Sequence, residues 1–170
     1  METFFRDEHH MQDYLIKHAD ELENKLSLML GKRVSFLQSE FPLYYPTGRF
    51  YKRCDLAFLT DEMNLVLVEL KYPIARSNAL SQVLSYKEMA CCYKNITNAI
   101  AVIISPQFTD PLLFNICEYD NVYGYDLQDW FCSKEYPHNE MRIFEDYSDG
   151  ARILSDHVEQ MVKVSRHGRA

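Results

Sequence analysis

The stretch from Leu65 to Lys71 constrains the fold of this chain more than any other. It reads Leu-Val-Leu-Val-Glu-Leu-Lys and follows the polar turn residues 60–64. A short aliphatic, β-branched run bounded by a turn predicts a buried strand. This run nevertheless ends in Glu69 and Lys71, which are two residues apart and therefore lie on the same face of a sheet, while Leu70 points to the other face. The sequence thus predicts two opposite charges at the end of an apolar strand.

A second carboxylate is expected at the same place. Asp55 opens the preceding strand, Cys54 to Leu59, and the short hairpin returns it close to the end of the Leu65 strand. Clustered carboxylates beside an ammonium group predict a site for a divalent metal ion. The alternative is a simple ion pair between Glu69 and Lys71 at a solvated strand end. The strand is too apolar on both faces for a surface edge, which favours the metal site.

The order of the remaining elements indicates an α/β fold. The predicted strands span 33–41, 54–59, 65–71, 99–105 and 121–126, and the predicted helices span 7–30, 77–93, 109–119 and 151–164. The unbroken apolar run at 99–105 is typical of a strand that is covered on both faces. Strands that alternate with helices predict a layered sheet with helices packed on its faces.

The first helix contains one acid that can reach the edge of the core. Its apolar side chains form a single stripe at helical spacing, and Glu23 falls just outside this stripe, whereas Glu21 falls on the polar face. Taken by itself, Glu23 is a solvated helix charge. On the predicted helix at 77–93, Gln82 and Tyr86 are four residues apart and share a face next to the end of the Glu69 strand.

Charge and composition limit the classes of function. The chain has 170 residues, which suits one domain, and its net charge of −7 argues against a tight, non-specific binder of nucleic acid. Residues 31–94 nevertheless carry nine Lys and Arg against six Asp and Glu. Basic and aromatic residues interleave at 48–53, a pattern that can bind phosphates and stack on bases, although an ordinary amphipathic strand start is equally consistent with it.

The sequence also bears on the cellular compartment. No apolar run approaches the length of a membrane span, and the N-terminus is acidic where a signal peptide would be basic, so we expect an intracellular protein without a membrane partner. The five cysteines form no Cys-x-x-Cys pair and are odd in number, which predicts reduced thiols.

Together these motifs resemble the PD-(D/E)XK nuclease superfamily, and more closely the nuclease domain of NucS/EndoMS-type endonucleases. The resemblance covers about residues 11–127, and the proline of the superfamily's name is replaced by Cys54. The matching residues, in chain order, are Tyr14-Leu15, Glu23-x-x-Leu26, Asp55, Glu69-Leu70-Lys71 and Gln82-x-x-x-Tyr86. The resemblance implies one domain over 1–170, with a restriction-endonuclease-like mixed central sheet flanked by helices and a C-terminal extension at 128–170.

The resemblance also implies a metal-dependent nuclease. Glu23, Asp55 and Glu69, with the Leu70 carbonyl as a fourth group, would hold Mg²⁺ or Mn²⁺. Hard cations of this kind take oxygen ligands and activate water for attack on a phosphodiester. The catalytic residues implied are Asp55, Glu69, Lys71 and Gln82, and the substrate-binding residues are Arg49, Lys52, Arg53, Arg76 and Tyr86.

Within these roles, Lys71 would position the water or stabilise charge on the phosphate. Gln82 would orient Lys71 or the phosphate, with Tyr86 packed behind it.

Several functions remain consistent with the motifs. The first is cleavage of DNA in repair, recombination, restriction or defence against mobile elements, for which a homodimer would supply a second site to cut both strands. The second is a catalytically silent module that binds nucleic acid or a protein partner. A nuclease acting on RNA or on cyclic oligonucleotides is the third.

Overall fold

Five strands form one mixed sheet in the computed structural model, which describes residues 5–91, 93, 95–128 and 130. The strands are β1 (Val34–Tyr44), β2 (Phe50–Thr60), β3 (Asn64–Leu70), β4 (Asn98–Ser105) and β5 (Val122–Asp126), and the helices are α1 (Glu8–Lys17), α2 (Ala19–Leu30), α3 (Ser77–Ala90) and α4 (Asp110–Ile116). The helix predicted at 151–164 and nearly all of the C-terminal extension lie outside the described residues.

The strand order in the sheet follows the chain, β1-β2-β3-β4-β5. The pairs β1/β2 and β2/β3 are antiparallel, whereas β3/β4 and β4/β5 are parallel and are connected through α3 and α4. Parallel neighbours require a crossover connection, which explains why the helices alternate with strands in the second half of the chain. This architecture confirms the predicted α/β fold with a mixed central sheet flanked by helices.

The central strands are buried on both faces. Every residue of β3 is buried, as is every residue of β4 after Asn98. Side chains alternate between two cores: Val66 and Val68 pack with α1 and α2, and Leu65 and Leu67 pack with α3 and α4. This two-sided burial places Glu69 inside the protein.

The prediction of a single helix over 7–30 is wrong. The chain forms two helices separated at His18, whose backbone (φ −111°, ψ 32°) leaves the helical conformation. Asp7 caps α1 through a hydrogen bond from the His10 amide, and Gly31 ends α2 in the left-handed conformation (φ 63°) that glycine adopts without strain. Acids on α1 and on α2 therefore take independent positions relative to the sheet.

The hairpin of β1 and β2 is longer than predicted. Both strands have 11 residues: β1 continues to Tyr44, beyond its predicted end at 41, and β2 begins at Phe50, before its predicted start at 54. The β2/β3 ladder runs only from Leu56 to Leu59. Residues 41–54, which we call the hairpin tip, therefore extend beyond the part of β2 that pairs with β3.

No helix within the described part of the chain is long and apolar enough to cross a membrane.

Candidate active site

The candidate site begins where β2 and β3 separate. The ladder between these strands ends at the pair Leu56 and Val68, and the next amide of β3 on that side, that of Leu70, donates to Asp55 Oδ2 at 2.7 Å. A side-chain carboxylate thus replaces the backbone carbonyl that would continue the ladder. This hydrogen bond fixes the Asp55 carboxylate against the end of β3.

Glu69 lies beside it and is almost fully buried, with 3% of its surface exposed. Its Oε1 accepts a hydrogen bond from Lys71 Nζ at 2.6 Å, and its Oε2 accepts one from the Tyr86 hydroxyl at 2.8 Å. A buried carboxylate requires such partners because burial without them costs several kcal/mol. The structure therefore brings Asp55, Glu69 and Lys71 together, as the sequence pattern predicted.

Helix α3 supplies support from the other side. Gln82 Nε2 donates to the Tyr86 hydroxyl at 2.8 Å, so Gln82 acts on Glu69 through Tyr86. The resemblance implied a direct role for Gln82 toward Lys71 or the phosphate, and the structure shows this indirect connection. Tyr86 is completely buried. It lies behind Glu69, as its packing role implied, and has no exposed surface with which to contact a substrate.

Glu8 is the acid that the sequence reasoning missed. Its Oε2 accepts a hydrogen bond from the backbone amide of Tyr72 at 3.3 Å, directly after Lys71, and the Tyr72 hydroxyl donates to the Phe5 carbonyl. These contacts hold the start of α1 against the end of β3. The charge of Glu8 acts on both Asp55 and Lys71. Its only signal in the sequence is a position next to the capping residue of a helix.

A second contact connects α1 to the same point of the sheet. One turn after Glu8, Gln12 Nε2 donates to the Asp55 carbonyl at 3.2 Å and to Glu40 Oε1 at 2.7 Å. Glu40 has a left-handed backbone (φ 50°), which is uncommon for a residue with a side chain. Helix α1 is thus anchored directly to the strand that carries Asp55.

Glu23 lies elsewhere. Its Oε1 accepts a hydrogen bond from the Phe36 amide at 2.6 Å, and Phe36 pairs with Phe58, three residues along β2 from Asp55. At 3.3 Å per residue, Phe58 and Asp55 are about 10 Å apart along β2. Within the described residues, no group of three or more His, Cys, Asp or Glu side chains is close enough together to hold a metal ion.

Burial and the negative charge of Glu69 together set the electrostatics of the site. Burial, followed by the charge of Glu69, raises the pKa of Asp55 from 3.8 to about 7. Burial opposes the charged form of Lys71, but the hydrogen bond and charge of Glu69 outweigh it, so the pKa of Lys71 is raised. Burial and the charge of Glu69 also raise the pKa of Tyr86. Lys71 is therefore a cation and Tyr86 a neutral donor at neutral pH.

The basic residues implied for substrate binding lie around this cluster. Lys52 Nζ is 5.5 Å from the centre of the Tyr86 ring, on the hairpin strand that leads to Asp55. Arg53 and Arg49 are exposed on the hairpin tip, and Arg76 is exposed at the N-cap of α3. Of these four, Lys52 contacts the site through its side chain, and Arg53 contacts it through its carbonyl, which accepts a hydrogen bond from the Tyr86 hydroxyl at 3.3 Å.

The mixed five-stranded sheet with its helices defines an α/β domain, and a solved structure shares this fold. No protein family model matches the chain, and no curated protein matches it. A repair endonuclease from Pyrococcus abyssi is similar over 75% of this chain and 49% of its own, with 17% sequence identity and a TM-score of 0.54.

Two EndoMS structures are also similar. The apo form matches over 74% of this chain and 48% of its own (17% identity, TM-score 0.49), and a complex with double-stranded DNA over 65% and 44% (16% identity, TM-score 0.47). The chain spans about half the length of these proteins. At 17% identity, the similarity to the Pyrococcus abyssi endonuclease shows a shared fold and nothing finer.

Proposed function

We propose that this chain is a metal-dependent nuclease that hydrolyses phosphodiester bonds in DNA. The observation that carries the proposal is the convergence of Asp55, Glu69 and Lys71 where the β2/β3 ladder ends, in a fold shared with a repair endonuclease. The pattern would not arise from packing alone, because a buried carboxylate that shares its site with a second one is destabilising. A substrate phosphate and a cation would offset this cost.

The donor groups at the site suit Mg²⁺ or Mn²⁺. The carboxylates of Asp55 and Glu69 and the Leu70 carbonyl are hard oxygen donors, and a carboxylate oxygen that already accepts one hydrogen bond keeps a lone pair for a metal. Burial, followed by the charge of Glu69, raises the pKa of Asp55, and a bound cation would offset both effects. We infer that Glu8, whose charge acts on Asp55 and Lys71, supplies the third negative charge near the cation in place of Glu23, without being one of its direct ligands. A cation held there would supply Lewis acidity and lower the pKa of water.

The protein groups then have separate tasks. Lys71, held protonated by Glu69, stabilises charge that develops on the phosphate and does not serve as a general base. Tyr86 and Gln82 are positioning residues that fix the Glu69 carboxylate from behind. Asp55, with a pKa of about 7, readily loses its proton when a cation lies nearby.

Cleavage assays test this proposal. Single-stranded, duplex, branched and mismatched DNA, together with RNA, would be incubated with the protein in Mg²⁺, in Mn²⁺ and in EDTA. We expect metal-dependent cleavage of DNA that is lost in Asp55→Ala and in Lys71→Ala and retained in Lys17→Ala, whose side chain is exposed. No cleavage of any substrate, or cleavage that survives both site substitutions, would refute the nuclease proposal.

The same panel separates the other functions. Cleavage confined to RNA would assign the site to that substrate, and binding without cleavage would indicate a catalytically silent module. Sedimentation of the protein with and without DNA would show whether two copies assemble to cut both strands.

A further inference from the structure

The hairpin tip, residues 41–54, projects an exposed aromatic surface. Three of its rings are unusually exposed for their size: Tyr44 by 41%, Tyr45 by 38% and Phe50 by 50%. The turn is closed by hydrogen bonds from the Tyr45 amide to the Arg49 carbonyl and from the Gly48 amide to the Tyr45 carbonyl, both at 2.8 Å. The rings are therefore displayed on an ordered ribbon. Exposed apolar clusters of this kind mark interaction sites.

All charged residues of the same segment are basic. Between Phe41 and Cys54 there is no Asp or Glu, whereas the chain as a whole has a net charge of −7. Arg49, Lys52 and Arg53 give the tip three positive charges. A local charge opposite in sign to that of the whole protein favours a polyanion as partner over an apolar protein surface.

The arrangement of rings and cations suits unpaired bases. Tyr44 and Phe50 pack edge to face with centroids 6.0 Å apart, and the Arg53 guanidinium lies 5.6 Å from the Phe50 centroid. Tyr45 and Tyr51 form a second such pair at 4.9 Å. The exposed surface of Tyr44, Tyr45 and Phe50 is available for stacking, and a base can stack there only when it is not enclosed in a duplex.

The tip leads directly to the candidate active site. Lys52 lies over the ring of Tyr86, and the Arg53 carbonyl is 3.3 Å from the Tyr86 hydroxyl that holds Glu69. Asp55 follows Arg53 by two residues on the same strand. A strand bound along the tip would therefore reach the carboxylates without crossing another element of the fold.

We propose that the hairpin tip binds a nucleic-acid strand with unpaired bases, which stack on Tyr44, Tyr45 and Phe50 while Arg49, Lys52 and Arg53 contact the phosphates. This inference rests on the proposed nuclease function for its biological meaning, but its test does not depend on cleavage.

Binding would be measured in EDTA by fluorescence anisotropy. The probes are a labelled single-stranded DNA of about 16 nucleotides, the upper site size of common single-strand binders, and the same sequence as a duplex. We expect the double variant Tyr44→Ala/Phe50→Ala to weaken single-strand binding by about thirtyfold or more and to leave duplex binding within about twofold, because two stacking contacts with unpaired bases are lost. Tyr119→Ala is the matched control, since Tyr119 is 45% exposed and lies outside the tip.

The contribution of the basic residues is tested by measuring binding at several salt concentrations. Replacing Arg49 and Arg53 by Ala should reduce the slope of log K against log salt for single strands by about 1.4, since each phosphate contact contributes about 0.7. Lys17→Ala, a single exposed charge on α1, should leave the slope unchanged. Circular dichroism of each variant verifies that the fold is retained.

The inference is overturned if the protein does not bind single strands, if the Tyr44/Phe50 variant binds them as tightly as Tyr119→Ala, or if it loses duplex binding to the same degree. Tip-dependent binding without any cleavage in Mg²⁺ would refute the nuclease function and support this inference. Cleavage that requires Asp55, with unchanged single-strand binding by the tip variant, would support the nuclease function and refute this inference.

Discussion

Asp55→Asn separates the electrostatic cost of the candidate site from its chemistry. Asparagine has nearly the same shape, and its side-chain oxygen can still accept the hydrogen bond from the Leu70 amide. The substitution removes only the negative charge that burial and Glu69 oppose. In the absence of metal, we expect the variant to be more stable than the wild-type protein at pH 8. In the presence of Mg²⁺, we expect it to have lost cleavage.

The magnitude follows from the pKa of Asp55, which is raised from 3.8 to about 7. Between these values the folded protein binds the proton more tightly than the unfolded chain does, so the free energy of unfolding of the wild-type protein falls as the pH rises through this window. A shift of about three units corresponds to about 4 kcal/mol at most. Because Asp55 is partly exposed, we expect Asn to stabilise by about 2–4 kcal/mol at pH 8.

The assay is urea unfolding in EDTA at several pH values between 4 and 8. The stabilisation should be under about 1 kcal/mol at pH 4, where Asp55 is protonated in the folded wild-type protein, and should grow toward pH 8. Asp61→Asn, an exposed aspartate in the β2/β3 turn, is the control and should show no such dependence. Adding Mg²⁺ at about 100 times its Kd should stabilise the wild type by about 2.7 kcal/mol and leave Asp55→Asn unchanged.

Two results would contradict this reasoning. If Asp55→Asn is less stable than the wild type at pH 8, the carboxylate is stabilised by partners that outweigh burial and Glu69. If its effect is the same at pH 4 and pH 8, charge is not the cause.

Three further predictions concern the groups around Asp55. Glu8→Gln should weaken Mg²⁺ binding about tenfold in calorimetry. Glu23→Gln should have little effect on Mg²⁺ binding, because its amide oxygen can still accept the hydrogen bond from the Phe36 amide. The reverse result would restore Glu23 as the predicted metal ligand. Lys71→Met should lower the free energy of unfolding in urea by about 3 kcal/mol, because it leaves Glu69 buried without its cation. Most of this loss should disappear in the double variant that also carries Glu69→Gln. Strictly additive losses would contradict the ion pair. Tyr86→Phe should cost about 1–3 kcal/mol of stability and lower kcat more than it changes KM, and unchanged kcat with reduced stability would assign Tyr86 to packing alone.

The sequence alone was informative where local geometry decides. The two-residue period of a strand places Glu69 and Lys71 on one face, and the apolar runs of β3 and β4 require a sheet covered on both sides. The turn at 60–64 returns Asp55 to the end of β3. These features depend only on residues close together in the chain, so the alternation of strands and helices and the meeting of Asp55 with Glu69 and Lys71 could be predicted. The mixed sheet was implied by the family resemblance, because the pairing of β3 with β4 and of β4 with β5 joins distant segments.

Only the tertiary structure decided which helix reaches the site. A helical plot that runs through His18 places Glu23 at the rim of the core, but the break at His18 changes the direction of the chain and separates the two helices. Glu8 reaches the site because Tyr72 binds it across 64 residues of sequence. Likewise, the length of the hairpin tip depends on where the β2/β3 ladder stops, which Asp55 sets by capturing the Leu70 amide. Contacts between elements distant in the chain depend on how those elements pack, and no local pattern in the sequence encodes that packing.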